Sequence, residues 1–189
     1  MIIYLHGFGS NGNAFKARLI RRLYPEISLY SPDLPMEPTR AVSLVRTFIQ
    51  KLANSEPCLL IGSSLGGFFA LHLHIEQNIP AILLNPVVTP EKYLQRYLGS
   101  PESSNRKLLP IPKEKYIRQL RKLSHPAKSI RSSGLFVYLN CDDEVLDYRV
   151  AQNYFQKSRC NVIINEKGGH VFLNFTDLLP EIISVYRNL

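Results

Sequence analysis

Short apolar runs alternate along the chain with stretches in which apolar residues recur at helical spacing. Short β-branched runs predict strands, here near residues 2–5, 27–31, 58–62, 81–85, 135–140 and 161–165. Apolar residues three or four positions apart predict amphipathic helices between them, near residues 15–23, 42–52, 66–75, 148–155 and 178–186. Strands separated by helices pair in parallel through right-handed crossovers. The pattern therefore predicts an α/β fold with a mostly parallel sheet of about six strands.

The region from about residue 87 to residue 131 interrupts this alternation. It is rich in Pro, Ser, Lys and Arg, with a helical fragment that carries Tyr116, Leu120 and Leu123. We interpret it as a helical insertion after the fourth strand, which is either a lid over a site or an excursion without a function. Residues 1–189 together have the length of one domain, and we expect a single domain.

Charge is distributed unevenly around this insertion. The chain has a formal net charge of +8, and the segment from Glu91 to Arg131 holds eleven Lys/Arg against three Asp/Glu, while the rest holds twelve of each. Such an excess attracts an anionic substrate, a nucleic acid or a membrane surface, and a solvated basic face explains it equally well. No nucleic-acid recognition motif accompanies the charge, so a nucleic-acid partner is not expected.

Cysteine usage and the N-terminal segment indicate the compartment. The three cysteines are odd in number and lack C-x-x-C spacing, which indicates neither a disulfide framework nor a zinc site. The first residues lack the features of a signal peptide, and no apolar run is long enough to span a bilayer. We expect a soluble, cytoplasmic protein that needs no metal.

Two glycine motifs compete as the functional centre, and the first is Gly7-Phe8-Gly9-Ser10-Asn11-Gly12. It follows a predicted strand, precedes a helix, and is followed by Asp33 twenty-one residues after Gly12. In a dinucleotide site the backbone amides of such a loop hold a pyrophosphate, and the acidic residue binds a ribose hydroxyl. A dinucleotide-binding module using Gly7 to Gly12 is therefore one hypothesis.

The second motif is Gly62-Ser63-Ser64-Leu65-Gly66, a G-x-S-x-G sequence between a strand and a helix. In a nucleophile elbow this turn is sharp and strained, and it exposes the serine hydroxyl at the carboxyl edge of the sheet. Ser64 is then the nucleophile, and a helix-capping role is the structural alternative.

A serine nucleophile needs a base and an acid, which follow it in the chain order Ser, acid, His. Asp143 follows the fifth predicted strand and His170 follows the sixth. Because the carboxyl ends of parallel strands share one sheet edge, we expect Ser64, Asp143 and His170 to converge. Asp142 is the alternative acid, and Asp147 is expected to cap the next helix.

The remaining histidines and the first glycine motif receive supporting roles in this interpretation. The backbone N–H groups of Phe8 and Leu65 are the predicted oxyanion donors. His6 is expected to brace the loop of Phe8 by hydrogen bonding, and His125 to have a surface role. His72 and His74 lie two positions apart on a helix and form neither a metal pair nor a base site.

Four segments resemble the YqiA-like small esterases of the α/β-hydrolase superfamily. They are Tyr4-Leu5-His6-Gly7-Phe8, Gly62-Ser63-Ser64-Leu65-Gly66-Gly67, Leu84-Asn85-Pro86 and Asp143-Glu144-Val145-Leu146-Asp147-Tyr148-Arg149. The resemblance runs nearly end to end and implies the strand order 2-1-3-4-5-6. It also supports Ser64, Asp143 and His170 as the triad. One departure is Asp142, which stands where the resemblance implies Gly.

Together these features predict a serine hydrolase, an esterase or thioesterase that acts on small acyl esters without a cofactor. The basic insertion adds the expectation that the substrate is anionic. A non-catalytic protein of the same fold that binds an anionic partner is the other alternative, and the sequence leaves the oligomeric state open.

Overall fold

Six parallel strands form one sheet in the order β2-β1-β3-β4-β5-β6. The computed structural model describes residues 1–52, 57–92, 94, 113–130, 133–158 and 160–189. Its strands are β1 (Ile2–Leu5), β2 (Leu29–Tyr30), β3 (Leu59–Ser63), β4 (Ala81–Leu84), β5 (Leu135–Asn140) and β6 (Asn161–Asn165). The predicted fold class and strand order are confirmed.

Helices connect successive strands and cover both faces of the sheet. They are α1 (Phe15–Leu23), α2 (Pro38–Leu52), α3 (Leu65–Gln77), α4 (Lys113–Leu123), α5 (Tyr148–Gln156) and α6 (Phe175–Arg187). Asp147 caps α5, since its carboxylate accepts from the Arg149 N–H at 3.0 Å, as the sequence predicts. None of the helices in the described ranges is long and apolar enough to cross a membrane.

The hydrophobic core lies in two layers, one on each face of the sheet. Successive strand residues point to opposite faces, so Ile3 and Leu5 pack with α2 and α3, whereas Ile2 and Tyr4 pack with α1 and α6. The central strands are buried on both faces, which explains why they are continuous apolar runs in the sequence.

Strand β2 is shorter than the five residues predicted. It pairs with β1 only through Leu29 and Tyr30, because the preceding Ile27 belongs to a turn. The Ile27 N–H donates to the Tyr24 carbonyl in that turn. Pro32 follows it closely and has no N–H to offer a strand partner. Strand β4 likewise ends one residue earlier than predicted, because Asn85 has a φ of 43°.

Part of the predicted insertion belongs to the core. Helix α4 buries Tyr116 and Leu120 against α2 and α3, and the Gln119 side chain joins it to α2 by accepting from the Thr39 N–H at 3.3 Å and donating to Glu37 Oε1 at 2.6 Å. Helix α4 is therefore a packed element. Residues 93, 95–112 and 131 of the insertion lie outside the described residues, and the lid interpretation stays a prediction.

Candidate active site

Ser64 occupies a strained turn between β3 and α3. Its backbone has φ 55° and ψ −120°, a left-handed conformation that non-glycine residues rarely adopt and that is concentrated at functional sites. A Cβ on Gly62 would overlap Gly66 and Ala70, and one on Gly66 would overlap the carbonyls of Leu5 and His6. The two glycines of the motif therefore allow the turn to close. The Ser64 hydroxyl makes no helix-capping hydrogen bond.

The Ser64 hydroxyl instead faces His170. Its Oγ lies 3.0 Å from His170 Nε2, and Asp143 Oδ2 lies 2.8 Å from His170 Nδ1. The side chains of His170 and Asp143 are 17% and 1% exposed. The structure thus brings together three predicted residues that are separated by up to 106 positions in the chain. In this arrangement the imidazole can accept the hydroxyl proton while the carboxylate holds its tautomer.

Asp143 is held firmly by its own loop between β5 and α5. Its Oδ1 accepts from the Val145 and Leu146 N–H groups at 2.8 Å each. Asp142 faces elsewhere, because its two carboxylate oxygens accept from the Gly168 and Gly169 N–H groups at 3.1 and 2.8 Å. Of the two aspartates that the sequence leaves open, only Asp143 hydrogen bonds to the His170 ring.

The loop after β1 lies directly against the serine. A Cβ on Gly7 would stand 3.2 Å from Ser64 Cβ, so the glycine permits this approach. Phe8 and Leu65, the predicted oxyanion donors, line one small cavity beside Gly7. Leu65 is the first residue of α3, where an N–H has no acceptor within its helix.

His6 braces this loop as predicted. Its Nδ1 lies 2.8 Å from the Gly7 carbonyl oxygen, and its Nε2 lies 2.9 Å from the Leu34 N–H. Burial lowers the pKa of His6, although the hydrogen bond to Gly7 and the charge of Asp33 oppose that shift. The His6 ring is therefore neutral, and it links the loop of Gly7 to the loop of Leu34.

The same loop is arranged unlike a dinucleotide site. The Asp33 carboxylate accepts from the Gly12 N–H at 2.7 Å, and a Cβ on Gly12 would overlap the Ser31 carbonyl. Helix α1 begins at Phe15, beyond the motif, whereas a phosphate-binding loop opens directly into its helix. A bound nucleotide would need both the Asp33 carboxylate and the Gly12 N–H, but here these two groups are hydrogen bonded to each other.

Three further side chains support the histidine segment, and of these the sequence analysis named only Asn85, within the segment Leu84-Asn85-Pro86. Lys16 Nζ donates to the Val171 carbonyl at 2.7 Å, and burial lowers the pKa of Lys16 to about 8. Asn85 and Asn140 each donate to the Gly169 carbonyl at 3.0 Å. Asn85 lies in a segment that carries the family resemblance. Lys16 shares the helical spacing of the buried residues of α1, whereas Asn140 has no such signal.

A mostly apolar cavity of about 270 Å³ adjoins Asp143. Its lining comes from residues 85–89, Lys92, Leu139 and Asp143, and from residues 145–148, 150 and 151. A neighbouring depression shares Val88 and Thr89 and carries Lys128 and Lys157. Among the described residues, no group of three His, Cys, Asp or Glu side chains could hold a metal ion.

Solved structures define the class of fold. The chain superposes with a TM-score of 0.73 on mouse alpha/beta hydrolase domain-containing protein 10, at 16% identity over 97% of this chain and 89% of that one. Est1E from Butyrivibrio proteoclasticus gives a TM-score of 0.71 at 16% identity, covering 98% and 85%. A monoacylglycerol lipase from Paleococcus ferrophilus gives 0.70 at 15% identity, covering 97% and 94%. The fold is that of the α/β hydrolases.

Sequence comparison then defines the family. Residues 1–187 match UPF0227, an uncharacterised protein family, and the chain belongs to it, which confirms the resemblance found in the sequence. A UPF0227 protein from Serratia proteamaculans (strain 568) is 25% identical over 96% of each chain. Another from Shewanella sp. (strain ANA-3) is 32% identical over 54% of this chain and 59% of its own length.

Proposed function

We propose that this protein is a serine hydrolase that cleaves small carboxylic esters or thioesters. The observation that carries the proposal is the hydrogen-bonded series Ser64 Oγ, His170 Nε2, His170 Nδ1 and Asp143 Oδ2, with separations of 3.0 and 2.8 Å. A serine in a strained elbow, a histidine within reach and a buried carboxylate behind it are the parts that acyl transfer requires.

The proposed reaction runs in two halves. Ser64 Oγ attacks the substrate carbonyl carbon while His170 Nε2 takes the hydroxyl proton, and the imidazolium then gives that proton to the departing alcohol or thiol. Water attacks the acyl-enzyme in the same way, and the proton returns to Ser64 as the acid leaves. Asp143 stabilises the imidazolium, and the Phe8 and Leu65 N–H groups stabilise the oxyanion.

The cavity beside Asp143 supports an apolar substrate group of limited size. Its apolar lining residues include Val87, Leu139, Leu146 and Ala151, and sites for small molecules are commonly lined in this way. The names of Est1E and of the monoacylglycerol lipase agree with ester chemistry. We propose that the acyl group of a small ester or thioester occupies this cavity.

The decisive experiment is labelling with a fluorophosphonate, combined with hydrolysis of short nitrophenyl esters. Wild type is expected to be labelled and active, and Ser64→Ala is expected to lose labelling and roughly a million-fold in turnover. Ser63→Ala is the matched control, since Ser63 is the adjacent buried hydroxyl, and it should remain labelled. Unchanged labelling of Ser64→Ala would overturn the assignment of the nucleophile.

Two other functions predict different results in the same assays. A dinucleotide-binding module would be stabilised by NAD or NADP in a thermal melt and would leave the serine unlabelled. A non-catalytic protein of this fold would hydrolyse no ester in a broad acyl panel. The engagement of Asp33 by Gly12 and the assembled Ser64–His170 pair favour the hydrolase.

We further propose that the substrate is anionic and that the protein acts in the cytoplasm. The exposed lysines Lys92, Lys128 and Lys157 lie along the cavity and its neighbouring depression, where their field would attract a phosphate or carboxylate. The cytoplasmic location agrees with the three free cysteines.

A further inference from the structure

The segment that carries His170 presents three consecutive backbone N–H groups to two carboxylates. The Gly168 and Gly169 N–H groups donate to Asp142 Oδ2 and Oδ1 at 3.1 and 2.8 Å, and the His170 N–H donates to Glu144 Oε2 at 2.9 Å. Gly168 and Gly169 have φ values of 144° and 59°, which residues with a side chain rarely adopt. In this backbone conformation the three N–H groups all face the β5–α5 loop.

Buried amides hold the same segment from the opposite side. The Gly169 carbonyl accepts from Asn85 Nδ2 and Asn140 Nδ2 at 3.0 Å each. Asn140 is fully buried, and a Cβ on Gly168 would overlap both Asn140 and Asn174. The segment is thus clamped between rigid amides on its inner side and carboxylates on its outer side.

The two carboxylates flank Asp143 in sequence, so a single loop supplies three acidic groups with different tasks. Asp143 hydrogen bonds to the His170 ring, whereas Asp142 and Glu144 accept from backbone N–H groups near it. Hydrogen bonds from the Gly169 and Gly168 N–H groups lower the pKa of the Asp142 carboxyl. Asp142 is therefore an ionised acceptor for these two N–H groups at neutral pH.

Catalysis by His170 demands accurate placement of its ring. The ring must reach Ser64 Oγ and then the leaving group, and a displacement of about 1 Å can cost about a hundredfold in rate. The loop of Asp143 and the loop of His170 follow different strands, so the distance between the acid and the base depends on the contacts between these loops. Asp142 and Glu144 make such contacts.

We propose that Asp142 and Glu144 are positioning residues that fix the His170 segment against the acid loop during turnover. This inference rests on the proposed hydrolase function. It gives a role to Asp142, the residue that departs from the family resemblance, and it separates that role from the role of the triad acid.

The test compares alanine variants with conservative variants. Asp142→Ala and Glu144→Ala are each expected to lower kcat about tenfold, and the double variant about a hundredfold, with KM changed less than about twofold because the cavity is untouched. Asp142→Asn and Glu144→Gln retain an oxygen acceptor and should recover most of the loss. Glu166→Gln, which removes a charge from an exposed position near the same segment, should keep wild-type kcat.

Amide hydrogen exchange at Gly168, Gly169 and His170 supplies a readout that does not depend on activity. The double alanine variant should exchange faster at these three amides, while a circular dichroism melt verifies that it is folded. Unchanged kcat in the double variant, or an equal loss in the conservative variants, would overturn the positioning role. If wild type itself is neither labelled nor active, the proposed function fails, and the exchange data alone then show whether the clamp exists.

Discussion

At the scale of one residue, His6 shows how a supporting side chain can be fixed in a single tautomer. The Gly7 carbonyl beside Nδ1 requires a proton there, and the Leu34 N–H beside Nε2 requires a lone pair. A second proton on Nε2 would place two donors face to face. Burial also lowers the pKa of His6, so the neutral ring and the brace of the Phe8 loop persist together.

Removing this brace should impair catalysis more than stability. His6→Ala is expected to lower the rate of fluorophosphonate labelling about tenfold, because the Phe8 N–H would shift relative to Ser64. His74→Ala is the matched control, since His74 is also buried and bonds a backbone carbonyl, that of Ile79 at 2.7 Å. Equal slowing in both variants, with equal losses in urea unfolding, would contradict a local role for His6.

The sequence places Ser64 and His170 at one sheet edge, because each follows a strand that the apolar pattern locates, and the structure brings Ser64 Oγ within 3.0 Å of His170 Nε2. The sequence leaves the choice of the acid between Asp142 and Asp143 open. The two are adjacent in a loop, and they differ only in the direction that the backbone gives each side chain. That direction is set by Val145, Leu146, Gly168 and Gly169, whose N–H groups bind the two carboxylates. Such contacts between separate loops leave no periodic pattern in the sequence.

At the scale of elements, a pair of histidines joins α3 to the end of α4. His72 Nδ1 lies 2.9 Å from His125 Nε2 and 3.1 Å from the Leu123 carbonyl oxygen. The Tyr154 hydroxyl of α5 donates to the His125 carbonyl at 2.5 Å. The expected surface role of His125 is therefore wrong, because the packing of α4 on α3 brings this residue against His72.

Acid should weaken this junction. Burial lowers the pKa of His72, and His125 and Arg46 add to that shift against the opposing charge of Glu76. Because the unfolded chain then binds more protons, stability is complete above the ordinary histidine pKa of 6.5 and declines as pH falls below it.

Urea unfolding at pH 7.5 and pH 5.5 measures this decline. The free energy of unfolding of wild type should be smaller at pH 5.5, and the difference should shrink in His72→Asn, which keeps an amide near the Nδ1 position. It should not vanish, since the pKa values of His6 and His125 are also lowered by burial. An identical pH dependence in wild type and variant would contradict the interpretation.

At the scale of the whole molecule, the sequence predicts the sheet and a helical insertion after β4, but not how that insertion packs. Each central strand is an apolar run bounded by turn residues, so its position and parallel pairing follow from local pattern. The place of α4 depends on contacts such as Gln119 with Thr39, which are 80 positions apart. The two-residue pairing of β2 likewise depends on the turn before it and on its place at the sheet edge.

The distribution of charge over the molecule leads to a prediction about the salt dependence of the reaction. If the exposed lysines near the cavity recruit an anionic substrate, kcat/KM for a carboxylated ester should fall several-fold between low salt and about 1 M salt, where the screening length is about 3 Å. A neutral ester of equal size should change little, and Lys92→Glu should reduce the salt effect. Equal salt responses of the two esters would contradict the anionic substrate.

The close contacts of Gly62 and Gly66 restrict how this molecule can diversify. The elbow touches the neighbouring strand through main-chain atoms, and no exchange of side chains can adjust that spacing. Natural or laboratory variation in substrate choice must therefore fall on the surfaces whose side chains can be exchanged, residues 86–89 and residues 145–148, 150 and 151 around the cavity. Mutant libraries confined to these two segments should yield altered specificity at a higher frequency than libraries spread over the elbow.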